Sequence, residues 1–274
     1  MDLAVAIIHG IGMQEQGNPM DALHPFARPL VNGLRRQLGV EAQRIEFQSL
    51  YWADLLDKRE RAYMRNTDAA GAPQRWRWLR DTVTTFLGDA SGYRLVAGAS
   101  SNSYQQVHAR VRAALTALRS RVNADTPLVV ITHSLGGHVM SNYLWDQYKL
   151  NKDCPSNDPF LGMETLTGLI TLGCNIPLFT FAYDTVVPIR FPGAQVPERL
   201  KDKTRWLNWY APADPLGYPL KPLCPAYNAV VDEDIALPVG PWLLRHTPAS
   251  HIGYWSDRRL HRRVAGYLKE LLDA

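Results

Sequence analysis

The stretch TPLVVITHSLGGHVMS, residues 126–141, changes character in its middle. Its first half contains a short apolar, mostly β-branched run at 128–131, the pattern of a strand buried on both faces. After Leu135 the apolar residues fall into a helical period. Ser134 therefore belongs to a turn between strand and helix, and Gly136 and Gly137 keep that turn clear so that the helix can pack against the strand. Such a turn lets the Ser134 hydroxyl project from the end of a sheet, beside the free amide donors and positive dipole of a helix N-terminus.

On either side of this stretch, strands and amphipathic helices alternate. Residues 3–8 form an apolar run that ends at His9-Gly10-Ile11-Gly12, a buried strand opening into a tight loop. Within 25–38, Phe26, Leu30, Leu34 and Leu38 recur every four residues and Gly39 follows as a C-terminal cap, so a helix is expected. A second strand is expected over 44–52, a helix over 104–122, and strands at 166–174 and 205–210. Residues 175–193 read as a long proline-rich connection, residues 230–237 as a weaker last strand, and residues 256–272 as a final helix. This alternation predicts an α/β fold, a mainly parallel sheet of about six strands with helices on both faces. The whole chain, 1–274, reads as a single domain.

Residues 54–103 break the pattern. They contain RWRWLR at 75–80, then Val83, Phe86 and Leu87 at helical spacing, then a glycine- and serine-rich exit. Trp76, Leu79, Val83 and Phe86 could form one buried face with the arginines solvated. The same pattern suits a lid or cap inserted beside a site, or a helix lying on a membrane surface. Both readings stay open at this point.

The motif T-H-S-L-G at 132–136, the H-G-I-G loop at 9–12, and an Asp and a His placed later in the chain resemble the α/β-hydrolase superfamily, in its lipase- and esterase-like branch. The chain departs from that family at Thr132, where the elbow usually begins with glycine. The resemblance implies an α/β-hydrolase fold, with Ser134 as nucleophile and the backbone amides of Ile11 and Leu135 as the oxyanion hole. The family's chain order of serine, acid, histidine implies His251, rather than His246, as the base that takes the serine proton. It implies Asp214, in a proline-bounded turn after a strand, as the carboxylate that orients the imidazole. Asp184, Asp232 and Asp234 are its rivals. The expected activity is cleavage of a carboxylic ester through an acyl-enzyme. Thioester or amide hydrolysis and acyl transfer would use the same groups, and a non-catalytic lipid- or partner-binding protein is the alternative from another class. His133 and His138 are expected to belong to the scaffold or pocket wall.

Composition bounds the rest. With 46% hydrophobic and 20% charged residues, 274 residues can bury a full core. A formal charge of +4 is mild for this length and calls for no polyanionic partner. The basic residues at 75–80 are local, so nucleic-acid binding is not expected. Cys154, Cys174 and Cys224 are widely spaced, without a C-x-x-C pair, and fit reduced thiols in a cytoplasmic protein. No apolar run approaches a membrane span, and no export signal is recognised, while peripheral membrane contact stays compatible with the sequence. There is no H-E-x-x-H pair and no Walker loop, so the expected enzyme needs no metal or other cofactor. Its expected partner is a small ester or lipid-like molecule.

Overall fold

The computed structural model describes residues 1–10, 17–55, 66, 93, 103–153, 156–181 and 183–274. Its centre is a six-stranded sheet in the order β2-β1-β3-β4-β5-β6, parallel at every pairing. The strands are β1 (Leu3–Ile8), β2 (Ile45–Leu50), β3 (Leu128–His133), β4 (Leu166–Leu172), β5 (Arg205–Tyr210) and β6 (Glu233–Ala236). Every residue of β1, β3 and β4 is buried, as their mostly apolar runs suit when both faces are covered. In register, Val5 lies between Phe47 and Val129, and Ile7 between Ser49 and Ile131.

Alternate residues of β1 sort the core into two layers. Leu3, Val5 and Ile7 face α1 (Arg28–Leu38) and α6 (Arg258–Leu272), meeting Leu30, Leu34, Leu260, Val264 and Leu268. Ala4, Ala6 and Ile8 face α2 (Ser103–Arg119) and α3 (Leu135–Asp153), meeting Val107, Val111, Leu115, Val139 and Tyr143. Helices therefore cover both faces, and each fully buried Val, Leu or Ile contributes about 1.5–3 kcal/mol relative to exposure. Gly39 ends α1 at φ +63°, where a side chain would be strained. Asp257 caps α6, accepting from the N–H groups of Arg259 and Leu260.

Two expectations need correction at their edges. The last strand is shorter than 230–237, because Pro225–Val230 forms a short helix, α5, that buries Tyr227 against Trp206. Proline at its first position favours that helix start, which overrides the β-branched Val230-Val231 pair. The connection after β4 opens with a further short helix, α4 (Ile176–Thr180). Of residues 54–103, only 54, 55, 66, 93 and 103 are described, so the expected lid or cap and its tryptophans lie outside the described residues.

From β1 the chain crosses to β2 on one side, and from β3 it proceeds through β4, β5 and β6 on the other. The exits of β1 and β3 therefore flank the point where the winding reverses, where open α/β sheets form a crevice at their carboxyl ends.

Candidate active site

Strand β3 ends at His133, α3 begins at Leu135, and Ser134 occupies the single joint between them at φ +53°. A non-glycine residue in this left-handed region is sterically strained, so it persists only where surrounding contacts fix it. Here the N–H of Ser134 donates to the Leu172 carbonyl at 2.9 Å, and its carbonyl accepts from Gly137 at 2.9 Å. Two glycines permit the crowding. A β-carbon on Gly10 would overlap Cβ of Ser134 and stand 2.9 Å from the His133 carbonyl oxygen, while one on Gly136 would strike the backbone of His9. The exit of β1 thus passes directly against the turn. Gly137 makes room chiefly for Cys174, whose Sγ a β-carbon there would approach at 2.8 Å, and next for the Thr132 hydroxyl at 3.3 Å.

Ser134 lies at the sheet end as expected, but its side chain is not exposed. The residue is fully buried between Gly10 and His251.

Two distant segments converge on it. His251 Nε2 lies 2.8 Å from Ser134 Oγ, and His251 Nδ1 lies 2.9 Å from both carboxylate oxygens of Asp214. Asp214 sits in the turn after β5 and is buried, with further bonds from the Leu216 N–H to Oδ1 and from the Tyr254 hydroxyl to Oδ2. Burial opposes its ionisation, yet the bonds from His251, Leu216 and Tyr254 outweigh it and hold the carboxyl below its usual range. Gly173, at φ +54°, and Gly217 leave space for this carboxylate: β-carbons there would stand 2.9 and 2.6 Å from Oδ2.

His251 rides on a 3₁₀ helix, Pro248–Trp255, that Thr247 caps by accepting from Ala249. Two neighbours fix it in place. The Tyr254 hydroxyl accepts from the Ala211 N–H while donating to Asp214, tying the histidine segment to the acid's turn. His133 Nε2–H donates to the His251 carbonyl at 2.7 Å. Burial, and secondarily the nearby His251, push His133 down to about 3, so its ring stays neutral. His133 was expected as scaffold, and its brace on the His251 segment gives that role a location.

The remaining candidates lie elsewhere. His246 is exposed, outside the Ser134–His251–Asp214 hydrogen bonds. Asp184 is exposed, Asp232 accepts from the Trp206 N–H, and Asp234 accepts from the Leu220 and Lys221 N–H groups and from Asn208. These last two carboxylates close loops around β5. Ile11 lies outside the described residues. Leu135 opens α3, so its N–H is one of the first-turn donors that have no intrahelical acceptor. His9 anchors the start of the β1 exit loop: its Nδ1–H donates to the Gly10 carbonyl and its Nε2 accepts from the Trp52 N–H at 3.1 Å. Desolvation pushes its pKa down to about 3.

Buried Cys174 has its thiol pushed up to about 12 by desolvation, which leaves it protonated and unsuited to nucleophilic attack. Among the described residues no group of three or more His, Cys, Asp or Glu side chains converges as a metal site would, and no helix is long and apolar enough to cross a membrane.

Tyr254 and the glycines at 173 and 217 carry no sequence signal of their own for this site, and Gly10 is signalled only as part of the H-G-I-G loop. Their part follows from packing. No family model matches this chain, and no curated protein is significantly similar to it.

Proposed function

We propose that the chain is a serine hydrolase of the α/β-hydrolase type that cleaves a carboxylic ester through an acyl-enzyme. The observation that carries this reading is the unbroken hydrogen-bonded series Asp214–His251–Ser134, with the serine held at φ +53° in a strand-to-helix joint. A serine hydroxyl is a poor nucleophile until a neutral imidazole takes its proton. His251 Nε2 is placed to do so, and Asp214 fixes the tautomer by accepting from Nδ1–H. Attack by Oγ on the ester carbonyl forms a tetrahedral oxyanion beside the N-terminus of α3, where the Leu135 N–H would donate to it. Collapse of that intermediate expels the alcohol, which takes the proton from His251. Water then repeats the sequence on the acyl-enzyme. By the family resemblance, Ile11 would supply the second oxyanion donor.

The sheet order supports the same fold, because it places the β1 exit and Ser134 on adjacent strands at the winding reversal. The free thiols of Cys174 and Cys224 support a reducing, cytoplasmic setting. The test is turnover of p-nitrophenyl esters by the wild type and by Ser134→Ala. Burst release of p-nitrophenol followed by a slower steady rate, absent in the variant, is expected. A non-catalytic binding protein would give no release above the buffer rate.

A further inference from the structure

Helix α3 carries a second row of side chains. His138, Ser141, Asn142 and Trp145 are spaced by three and four residues, so they share one face, and they line one wall of a cavity of about 240 Å³. The opposite wall comes from the segment after β4, through Ile176, Phe179, Val187 and Ile189. His138 and Phe179 join the two walls, their rings stacked at 3.9 Å and 10°. The cavity wall starts about one helical turn beyond the nucleophile, which does not itself line it: His138 follows Ser134 by four residues, a rise of about 6 Å, and Trp145 lies about 10 Å further along the helix. Tyr183 and Val187 on its rim are 67% and 58% exposed, leaving apolar surface uncovered beside an apolar hollow.

Direction decides which part of an ester would enter. The leaving oxygen must lie within hydrogen-bond reach of the imidazole that returns its proton, so the alcohol side faces His251. The acyl substituent faces away from it. The cavity is built from α3 and residues 176–189, with Tyr227, and no residue of the 248–255 segment lines it.

We propose that this cavity is the acyl site of the hydrolase and that it takes a medium-length alkyl or aryl acyl group, with the carbonyl at Ser134 and the tail running along α3 toward Trp145. The inference rests on the serine-hydrolase reading above. The volume falls just below the roughly 300–1,000 Å³ of pockets that enclose drug-sized ligands, which suits one chain or ring rather than a bulky lipid. The wall is polar only in part. Asn142 donates to His138 Nε2 at 3.2 Å, and desolvation pushes this imidazole down to about 4, so it brings no charge to the tail near neutral pH.

Two variants fill the cavity from different walls: Ser141→Phe on α3 and Val187→Trp on the exposed rim, where folding tolerates a larger side chain. For each, kcat/KM is measured with p-nitrophenyl acetate, octanoate and palmitate. Each buried methylene is worth about fourfold in binding, so in the wild type octanoate should exceed acetate, and each variant should lower the octanoate-to-acetate ratio about tenfold or more. Binding of methyl octanoate to Ser134→Ala, by titration calorimetry, gives a readout free of turnover, and adding Ser141→Phe should weaken it by a similar factor. If the wild type turns over no ester but Ser141→Phe still weakens octanoate binding, the hydrolase reading fails and a binding groove remains in place of an acyl site. Ratios and binding unchanged in both variants, in a protein that does hydrolyse esters, would overturn the acyl site.

Discussion

Acidification from about pH 7.5 to about pH 5 should destabilise this protein through His9 and His133 in particular. Both are fully or almost fully buried beside Ser134, and desolvation pushes each down to about 3. In the unfolded chain each returns to an ordinary value of about 6.5. Between about 3 and about 6.5 the unfolded state therefore binds more protons than the folded one, and stability falls as pH falls through that window. At about pH 5 protonation stabilises each unfolded histidine by about 2 kcal/mol, against almost nothing at about pH 7.5, so the pair together removes about 4 kcal/mol. That is a large share of a typical stability of about 5–15 kcal/mol. Asp214, whose carboxyl is held below its usual range, adds a loss only at lower pH, below about 4. The assay is urea unfolding at both pH values for the wild type and for His9→Gln/His133→Gln. Glutamine keeps an acceptor near the Trp52 N–H and a donor near the His251 carbonyl but does not titrate. His108 and His138, both pushed to about 4, act equally in the two proteins. The wild type should lose about 4 kcal/mol more than the variant on acidification. Equal losses would refute the claim that these two imidazoles are held neutral by the fold.

Two further substitutions probe the hydrogen-bonded series. Asp214→Asn should lower kcat by several orders of magnitude, about ten-thousandfold, with little change in KM, because an amide favours the wrong imidazole tautomer. In steady-state assays Asp184→Asn and His246→Ala should stay near the wild-type rate, and a comparable loss in either would move the assignment. Tyr254→Phe removes a hydroxyl that donates to Asp214 and accepts from the Ala211 N–H, leaving both groups short of a partner. It should cost about 1–3 kcal/mol in thermal or urea unfolding and lower kcat more than it raises KM, and a fully stable, fully active variant would show that the tie is idle.

Much of this layout could be read from the chain because the sheet is parallel and doubly covered. A strand buried on both faces reads as a near-continuous apolar run, and LAVAII, LVVITH and LTGLITL stand out for that reason despite their buried Thr132, His133, Thr167 and Thr171. Ser134 was legible because its turn needs a strand, a small clear space and a helix in immediate succession. Asp214 and His251 were legible only through the family's chain order, since nothing in APADPLG or ASHIG states that the two segments meet. The parts that were not legible depend on contacts between distant residues. Tyr254 looks like one more aromatic before the last helix until its hydroxyl is seen between Ala211 and Asp214. Gly10 reads as a turn residue, whereas its missing β-carbon is what lets the β1 exit lie on Ser134. The start of β6 was expected too early because Val230-Val231 has strand composition, yet Pro225 starts a helix that carries Tyr227 into the core. The cavity along α3 was hidden for a similar reason: His138, Ser141, Asn142 and Trp145 form a mixed row whose apolar complement comes from a proline-rich connection.

Ser134 should behave as an armed nucleophile. The most direct measurement is intact-mass analysis after incubation with a fluorophosphonate, for the wild type and for Ser134→Ala shown by circular dichroism to be folded. One adduct per chain is expected in the wild type, located by peptide mapping to Ser134, and none in the variant. An unmodified wild type, or an adduct that persists in Ser134→Ala, would contradict it.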